Sequence, residues 1–205
     1  AQAQPQYVDP FTDRANVARD LARIDNALNS TTSFTGRFVQ TSTEGVIDKG
    51  AIYIRRPGKM RFEYDAPNPL LIISDGVTLL QQDRALETAD RVPLSATPLN
   101  FFLKENVNLA RDTEVVGLIK TDTEMRVTAR DGSGDIEGDI TLVFDVNTLA
   151  LKGWFIADSF GGVTGIQLSE LQYNKPINPR LFIIKGDDRR EQEDALVRGA
   201  GDDRL

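Results

Sequence analysis

The sequence predicts a mainly β protein, one curled antiparallel sheet with apolar helices laid against it. Three observations carry this. Apolar and polar residues alternate with period two in run after run from Phe34 onward, short turn signals separate the runs, and only two stretches have helical spacing. About ten strands without a Pro-, Gly- or Ser-rich break imply one domain, and a sheet of that size tends to curl.

The first element is a helix from Asp9 to Asn29. Asp9 is placed to cap it, Pro10 suits the first helical position, and Val17, Leu21, Ile24 and Leu28 form a narrow apolar stripe. Arg14, Arg19, Asp20, Arg23 and Asp25 are assigned to the remaining, polar surface. The period then changes to two. Strands are expected at Phe34–Gln40, Gly50–Arg55 and Met60–Tyr64, followed by the continuous apolar run Leu70–Ile73, the turn Ser74-Asp75-Gly76 and a strand at Thr78–Gln81.

Residues 84–108 break that rhythm. Thr97 and Pro98 read as an N-cap and a first-turn proline, and Leu99, Phe102 and Leu103, with Phe101 beside them, make a short, very apolar helix. Strands resume at Glu114–Lys120, Glu124–Arg130, Asp139–Asp145, Lys152–Ala157 and Gly165–Tyr173, with a last short one at Leu181–Ile184. Helices with apolar faces must cover the sheet, across its concave side or at its mouth, and such a shape suits a greasy ligand.

Composition narrows the function. The 205 residues contain no His and no Cys, which removes thiol nucleophiles, Ser-His and Cys-His dyads, Cys/His zinc sites and disulfides. Any acid–base chemistry would fall to carboxylates, Lys or Tyr, so composition weighs against an enzyme. A formal charge of −7 argues against nucleic acid. No cofactor or metal is expected. The acidic loop Asp131–Asp139 resembles a calcium loop but has Ile136 and Leu142 where Gly and Glu are required. Glu63, Asp65, Asp75 and Asp83 are carboxylates without a marked pairing across a cleft. The opening Ala1-Gln2-Ala3-Gln4-Pro5-Gln6 reads as the small, polar start of a chain after signal cleavage, and residue 1 is not the Cys that a lipid anchor requires. Residues 1–8 are expected to be disordered, 9–185 to form the domain, and 186–205 to be a charged, mobile tail.

One constellation is more specific. In Gly50-Ala51-Ile52-Tyr53-Ile54-Arg55-Arg56-Pro57-Gly58-Lys59-Met60-Arg61-Phe62-Glu63-Tyr64, alternation puts Ile52 and Ile54 on one face and Met60, Phe62 and Tyr64 on the same face of the next strand. If the first strand continues through Arg56, its guanidinium points inward and must find carbonyls or a carboxylate. If the strand ends at Ile54, Arg56 stays in solvent.

These residues, with Phe38-Val39-Gln40 ending the first strand, Ser74-Asp75-Gly76 and Thr97-Pro98, resemble the LolA family, periplasmic carriers of outer-membrane lipoproteins in Gram-negative bacteria. The likeness runs from about Arg14 to Ile184; the C-terminal segment aligns poorly, and Trp154 is the single tryptophan. The resemblance implies a mainly β fold with a helical lid: an incomplete, half-closed antiparallel β-barrel of about 10–11 strands covered by two or three short α-helices. It also implies an acyl-chain cavity at Phe38, Ile52, Ile54, Met60, Phe62, Tyr64, Leu71 and Ile73. The lid helices would carry Leu21, Ile24, Leu28, Leu99, Phe101, Phe102 and Leu103, and Arg56 would latch the empty lid. Implied partners are triacylated lipoproteins, a LolCDE-type inner-membrane release complex and the outer-membrane acceptor LolB or its equivalent. The expectation is a periplasmic monomer with no stable membrane insertion. A lipid-sensing or protein-binding scaffold of the same fold is the alternative.

Overall fold

The computed structural model describes residues 6–8 and 13–184. A helix α1 (Arg14–Ser30) follows a three-residue strand β1 (Gln6–Val8). Six strands then run β2 (Ser33–Ser42), β3 (Ile47–Arg55), β4 (Lys59–Tyr64), β5 (Leu70–Asp75), β6 (Thr78–Asp83) and β7 (Thr88–Pro93). A 3-10 turn (Leu94–Ala96) and two one-turn helices, α2 (Asn100–Leu103) and α3 (Leu109–Asp112), lead to β8 (Glu114–Lys120), β9 (Glu124–Arg130), β10 (Asp139–Asp145), β11 (Leu151–Ala157) and β12 (Val163–Tyr173). A second 3-10 turn, Pro179–Phe182, ends the described chain.

All twelve strands form one antiparallel sheet in the order β1-β8-β9-β10-β11-β12-β2-β3-β4-β5-β6-β7. The chain lays down β2 to β7 strand by strand, crosses to β8, and returns through β12 to pair with β2. Residues 94–113 therefore have to pass from the free β7 edge to the other side of the sheet. This crossover carries α2 and α3, which is why apolar helices interrupt a sheet sequence.

Cross-strand partners share a face, so register fixes the interior. Phe34, Gly36 and Phe38 of β2 oppose Ile54, Ile52 and Gly50 of β3, and the latter three oppose Met60, Phe62 and Tyr64 of β4. On the other side Ile166, Trp154, Leu142, Val127 and Leu118 form one row across β12 to β8. These residues and the α1 stripe join in one hydrophobic cluster, placing both helical segments against the concave face. Gly50 is small for a reason: a Cβ there would stand 2.6 Å from the Phe38 ring and 2.2 Å from the Glu63 carbonyl oxygen.

Several expectations need correction. Helix α1 starts at Arg14 after Asp13; Asp9 and Pro10 lie outside the described residues, as does the tail 186–205. Gln6–Val8, expected to be disordered, pairs with Val8, Tyr7 and Gln6 opposite Leu118, Ile119 and Lys120, filling an otherwise free edge. Strand β7 was not foreseen because all six of its residues are exposed and show no apolar alternation. Leu181–Ile184 is not a strand; Pro179 starts a tight turn, capped by the Asn178 side chain accepting from Arg180 N at 3.0 Å. Thr97 does not cap α2: its hydroxyl donates back to Leu94 O at 2.9 Å, although Pro98 does open the first turn, with Phe101 N donating to its carbonyl at 3.1 Å.

Candidate functional site: a lidded apolar cavity

The concave face carries a half-open apolar cavity of about 300 Å³ between β4–β6 and β11–β12. Met60, Phe62 and Tyr64 line it, as alternation in β4 predicts, with Leu70 and Ile72 of β5, Leu79 of β6, Trp154 and Ile156 of β11, and Ile166 of β12. Leu99 reaches it from the crossover. Polar groups are few: Gln40, Gln81 and Thr164 complete the lining. The Tyr64 hydroxyl donates to Gln40 Oε1 at 2.7 Å. Burial, reinforced by Asp48, pushes the Tyr64 phenol up to about 12, so it stays neutral at any physiological pH.

Aromatic rings form a connected wall. Phe38 lies edge-on to Phe62 and Tyr64 at centroid distances of 4.9 and 5.1 Å, Phe62 meets Trp154 at 6.1 Å, and Trp154 meets Phe102 of α2 at 5.1 Å. The lid thus contacts the sheet through the ring that also borders the cavity. Leu21, Ile24, Leu28, Phe101, Phe102 and Leu103 are all buried beneath the lid, as the two helical patterns require.

Arg56 resolves the question its position posed. Strand β3 ends at Arg55, yet the Arg56 side chain turns toward the lid rather than to solvent. Nη1 donates to Leu28 O and, at 3.4 Å, to Thr31 O; Nη2 donates to Asn29 Oδ1 at 3.2 Å, to Lys104 O and, at 3.1 Å, to Glu105 O. Every acceptor is a neutral oxygen at the C-terminal end of α1 or just beyond α2, where unpaired carbonyls gather. Burial pulls the guanidinium below its ordinary pKa, and among the described residues Nε has no hydrogen-bond partner. The turn that presents Arg56 also holds the lid through its backbone, with Gly58 N donating to Leu103 O at 2.8 Å. Gly58 has φ +68°, and a Cβ there would meet Gly76 Cα at 2.7 Å, so the two hairpin turns approach closely because position 58 is glycine. Ser74, buried between them, donates to Gly58 O at 2.7 Å.

Not every predicted wall residue reaches the cavity. Phe38 and Ile52 are packed in the core behind it, and Ile54 borders a separate small crevice under the lid. Leu71 and Ile73 are corrections: they oppose Glu63 and Arg61 and therefore lie on the convex face, while Leu70 and Ile72 face the cavity. A run apolar at every position carries no period, so its register was not readable. Trp154 was missed as a wall residue, although its alternation with Phe155 marks it for one face. Asp20, assigned to the polar side of α1, is 0 % exposed.

The described chain has no helix long and apolar enough to cross a membrane. The model of the family "Outer membrane lipoprotein carrier protein LolA" matches residues 29–185. The chain belongs to the LolA family. An outer-membrane lipoprotein carrier protein of Nitrosomonas europaea is 31% identical over 165 residues, covering 76% of this chain and 79% of its own. An uncharacterized protein of Rickettsia prowazekii is 25% identical over 173 residues, covering 82% and 81% respectively. Among solved structures, a DUF1329 family protein from Desulfovibrio piger aligns with a TM-score of 0.54 at 12% identity, covering 84% of this chain and 98% of its own, a likeness of fold. The LolA match spans the second half of the lid, the Arg56 turn and every strand that lines the cavity.

Proposed function

We propose that this chain carries lipoproteins across the periplasm, sheltering their acyl chains on the concave face. The observation that supports this reading most directly is an apolar cleft on the concave face, beside helical segments that Arg56 holds to the sheet through hydrogen bonds. Each buried methylene contributes about 0.8 kcal/mol, so a sixteen-carbon chain represents roughly 12 kcal/mol that water alone would oppose. A half-open cleft of about 300 Å³ is at the lower end for ligand pockets, so taking up several chains requires the lid to lift.

Arg56 is the proposed latch. Its charged hydrogen bonds, about 1.5–3 kcal/mol each in a shielded setting, favour the empty closed form. Opening for cargo forfeits them, which keeps the loaded form only moderately favourable and lets the cargo leave. The proposed donor is a LolCDE-type inner-membrane release complex and the proposed acceptor is LolB or its equivalent. The cargo would be triacylated lipoprotein, carried without covalent chemistry.

Arg56→Leu tests the assignment. The variant is expected to bind a fluorescent fatty-acid probe at least as tightly as the parent chain and to hand lipoprotein to a LolB acceptor roughly tenfold more slowly, the effect of about 1.4 kcal/mol. Handover at the parental rate removes Arg56 from the role. Lipid copurifying with the chain in a native mass spectrum supports a carrier; a parent chain that neither copurifies with lipid nor takes up the probe refutes it in favour of a protein-binding scaffold.

A further inference from the structure

The lid helix α1 is fastened to the sheet at two places by opposite chemistry. At its C-terminal end the partner is Arg56, partly exposed and bonded to carbonyl oxygens. Water can take over each of those bonds as the end lifts. A crevice of about 20 Å³ bordered by Leu28, Phe34, Arg56 and Phe102 already lies beneath it, room for about one water.

The N-terminal half is held differently. Asp20 shares the inward face with Val17, Leu21 and Ile24, and its side chain is 1% exposed. Its partners are cations: Lys120 Nζ of β8 in direct contact, Arg23 at 3.5 Å and Arg19 at 3.9 Å. Among the described residues, no backbone N–H or neutral side chain hydrogen-bonds to it. Lifting this half of α1 would carry the carboxylate away from Lys120, and losing one partner of a buried ion pair is far costlier than exposing a carbonyl.

The crossover is tied to the same body. Asn29 exchanges hydrogen bonds with Val107, Nδ2 to O and N to Oδ1, both at 2.9 Å, and Asp25 accepts from Leu109 N at 3.1 Å. Helix α3 runs straight into β8, the strand that bears Lys120. We propose that the lid is hinged along β8, with Asp20 and Lys120 as positioning residues that keep the N-terminal half of α1 seated while its Arg56 end swings open. This deepens the carrier reading above and rests on it for its purpose, not for its test.

The chain has no cysteine, so spin labels can be placed cleanly. Ala18 and Asn26 are exposed on the two halves of α1, and Gln167 is exposed on β12. Distances are measured in Ala18→Cys/Gln167→Cys and Asn26→Cys/Gln167→Cys, in the parent chain with and without palmitate, and with Arg56→Leu added in the absence of lipid. On release the Asn26 pair is expected to lengthen by roughly 5 Å or more while the Ala18 pair moves by less than about 2 Å. Adding Lys120→Met is expected to free the Ala18 pair as well. If that variant fails to fold, Asp20→Asn/Lys120→Gln, which strands no charge and adds no apolar contact, is expected to do the same. Equal lengthening of both pairs in the presence of Lys120, movement of the Ala18 pair alone, or no change in either after Arg56→Leu overturns the hinge. Failure of palmitate to bind refutes the carrier reading and leaves the lipid-free Arg56→Leu comparison to decide the hinge.

Discussion

Strand β5, paired with β4, is apolar on both faces, and the two faces are covered in different ways. On the convex side Leu71, Ile73 and Leu80 are buried near the turn Pro179–Phe182, which packs on these strands and puts Phe182 at 2% exposure. Arg61 Nη1 donates to Leu181 O at 3.2 Å, anchoring that cover. On the concave side Met60, Phe62 and Ile72 border about 300 Å³ left unfilled, and the lid beside it is held by buried side chains such as Leu28 and Phe102 together with the hydrogen bonds of Arg56 and Gly58. Both covers insert an aromatic ring, Phe182 on the convex side and Phe102 against Trp154 on the concave side. What sets the second apart is the unfilled cleft beside it. The same strands therefore supply a permanent wall and an openable chamber.

The comparison can be broken most sharply at Phe182. Phe182→Ala is expected to lower unfolding free energy by about 3–5 kcal/mol in a urea titration while fatty-acid probe affinity stays unchanged; altered affinity would show that the convex cover is part of the chamber. High pH offers the next largest effect. The folded Tyr64 phenol sits near 12 against an ordinary 10, so both states are neutral below pH 10 and only the unfolded chain ionises between 10 and 12. Stability is expected to fall by about 3 kcal/mol over that window, and Tyr64→Phe should flatten this part of the slope.

Neighbouring residues on opposite faces give a finer contrast. Leu71→Ala is expected to cost about 2–4 kcal/mol without changing probe binding, whereas Ile72→Ala should cost less than about 1.5 kcal/mol and change probe affinity. Calorimetry of both variants with a probe titration reads the difference, and a reversed pattern would mean the register is shifted by one residue. The smallest expected effect is Arg61→Met, which removes the bond to Leu181 O and should cost about 1 kcal/mol with uptake intact.

The β architecture was legible because alternation survives wherever one face of a strand is buried and the other is wet. Met60, Phe62 and Tyr64, separated by Arg61 and Glu63, declared their face outright. Leu70–Ile73 did not, since both sides of β5 are covered and every position is apolar. Strand β7 was invisible for the converse reason, having no buried side. Asp20 misled because a helix stripe read as hydrophobicity has no place for an ion whose partner, Lys120, lies a hundred residues away.

By itself the sequence determined what local spacing and composition determine: a meander of amphipathic strands, two apolar helical segments and no thiol or imidazole chemistry. The tertiary structure decided which side of β5 faces the cavity, which carbonyls receive Arg56, and that Asp20 and Lys120 meet. Those outcomes depend on where the crossover from β7 to β8 lays its helices, and long-range placement of this kind leaves no periodic trace in the chain.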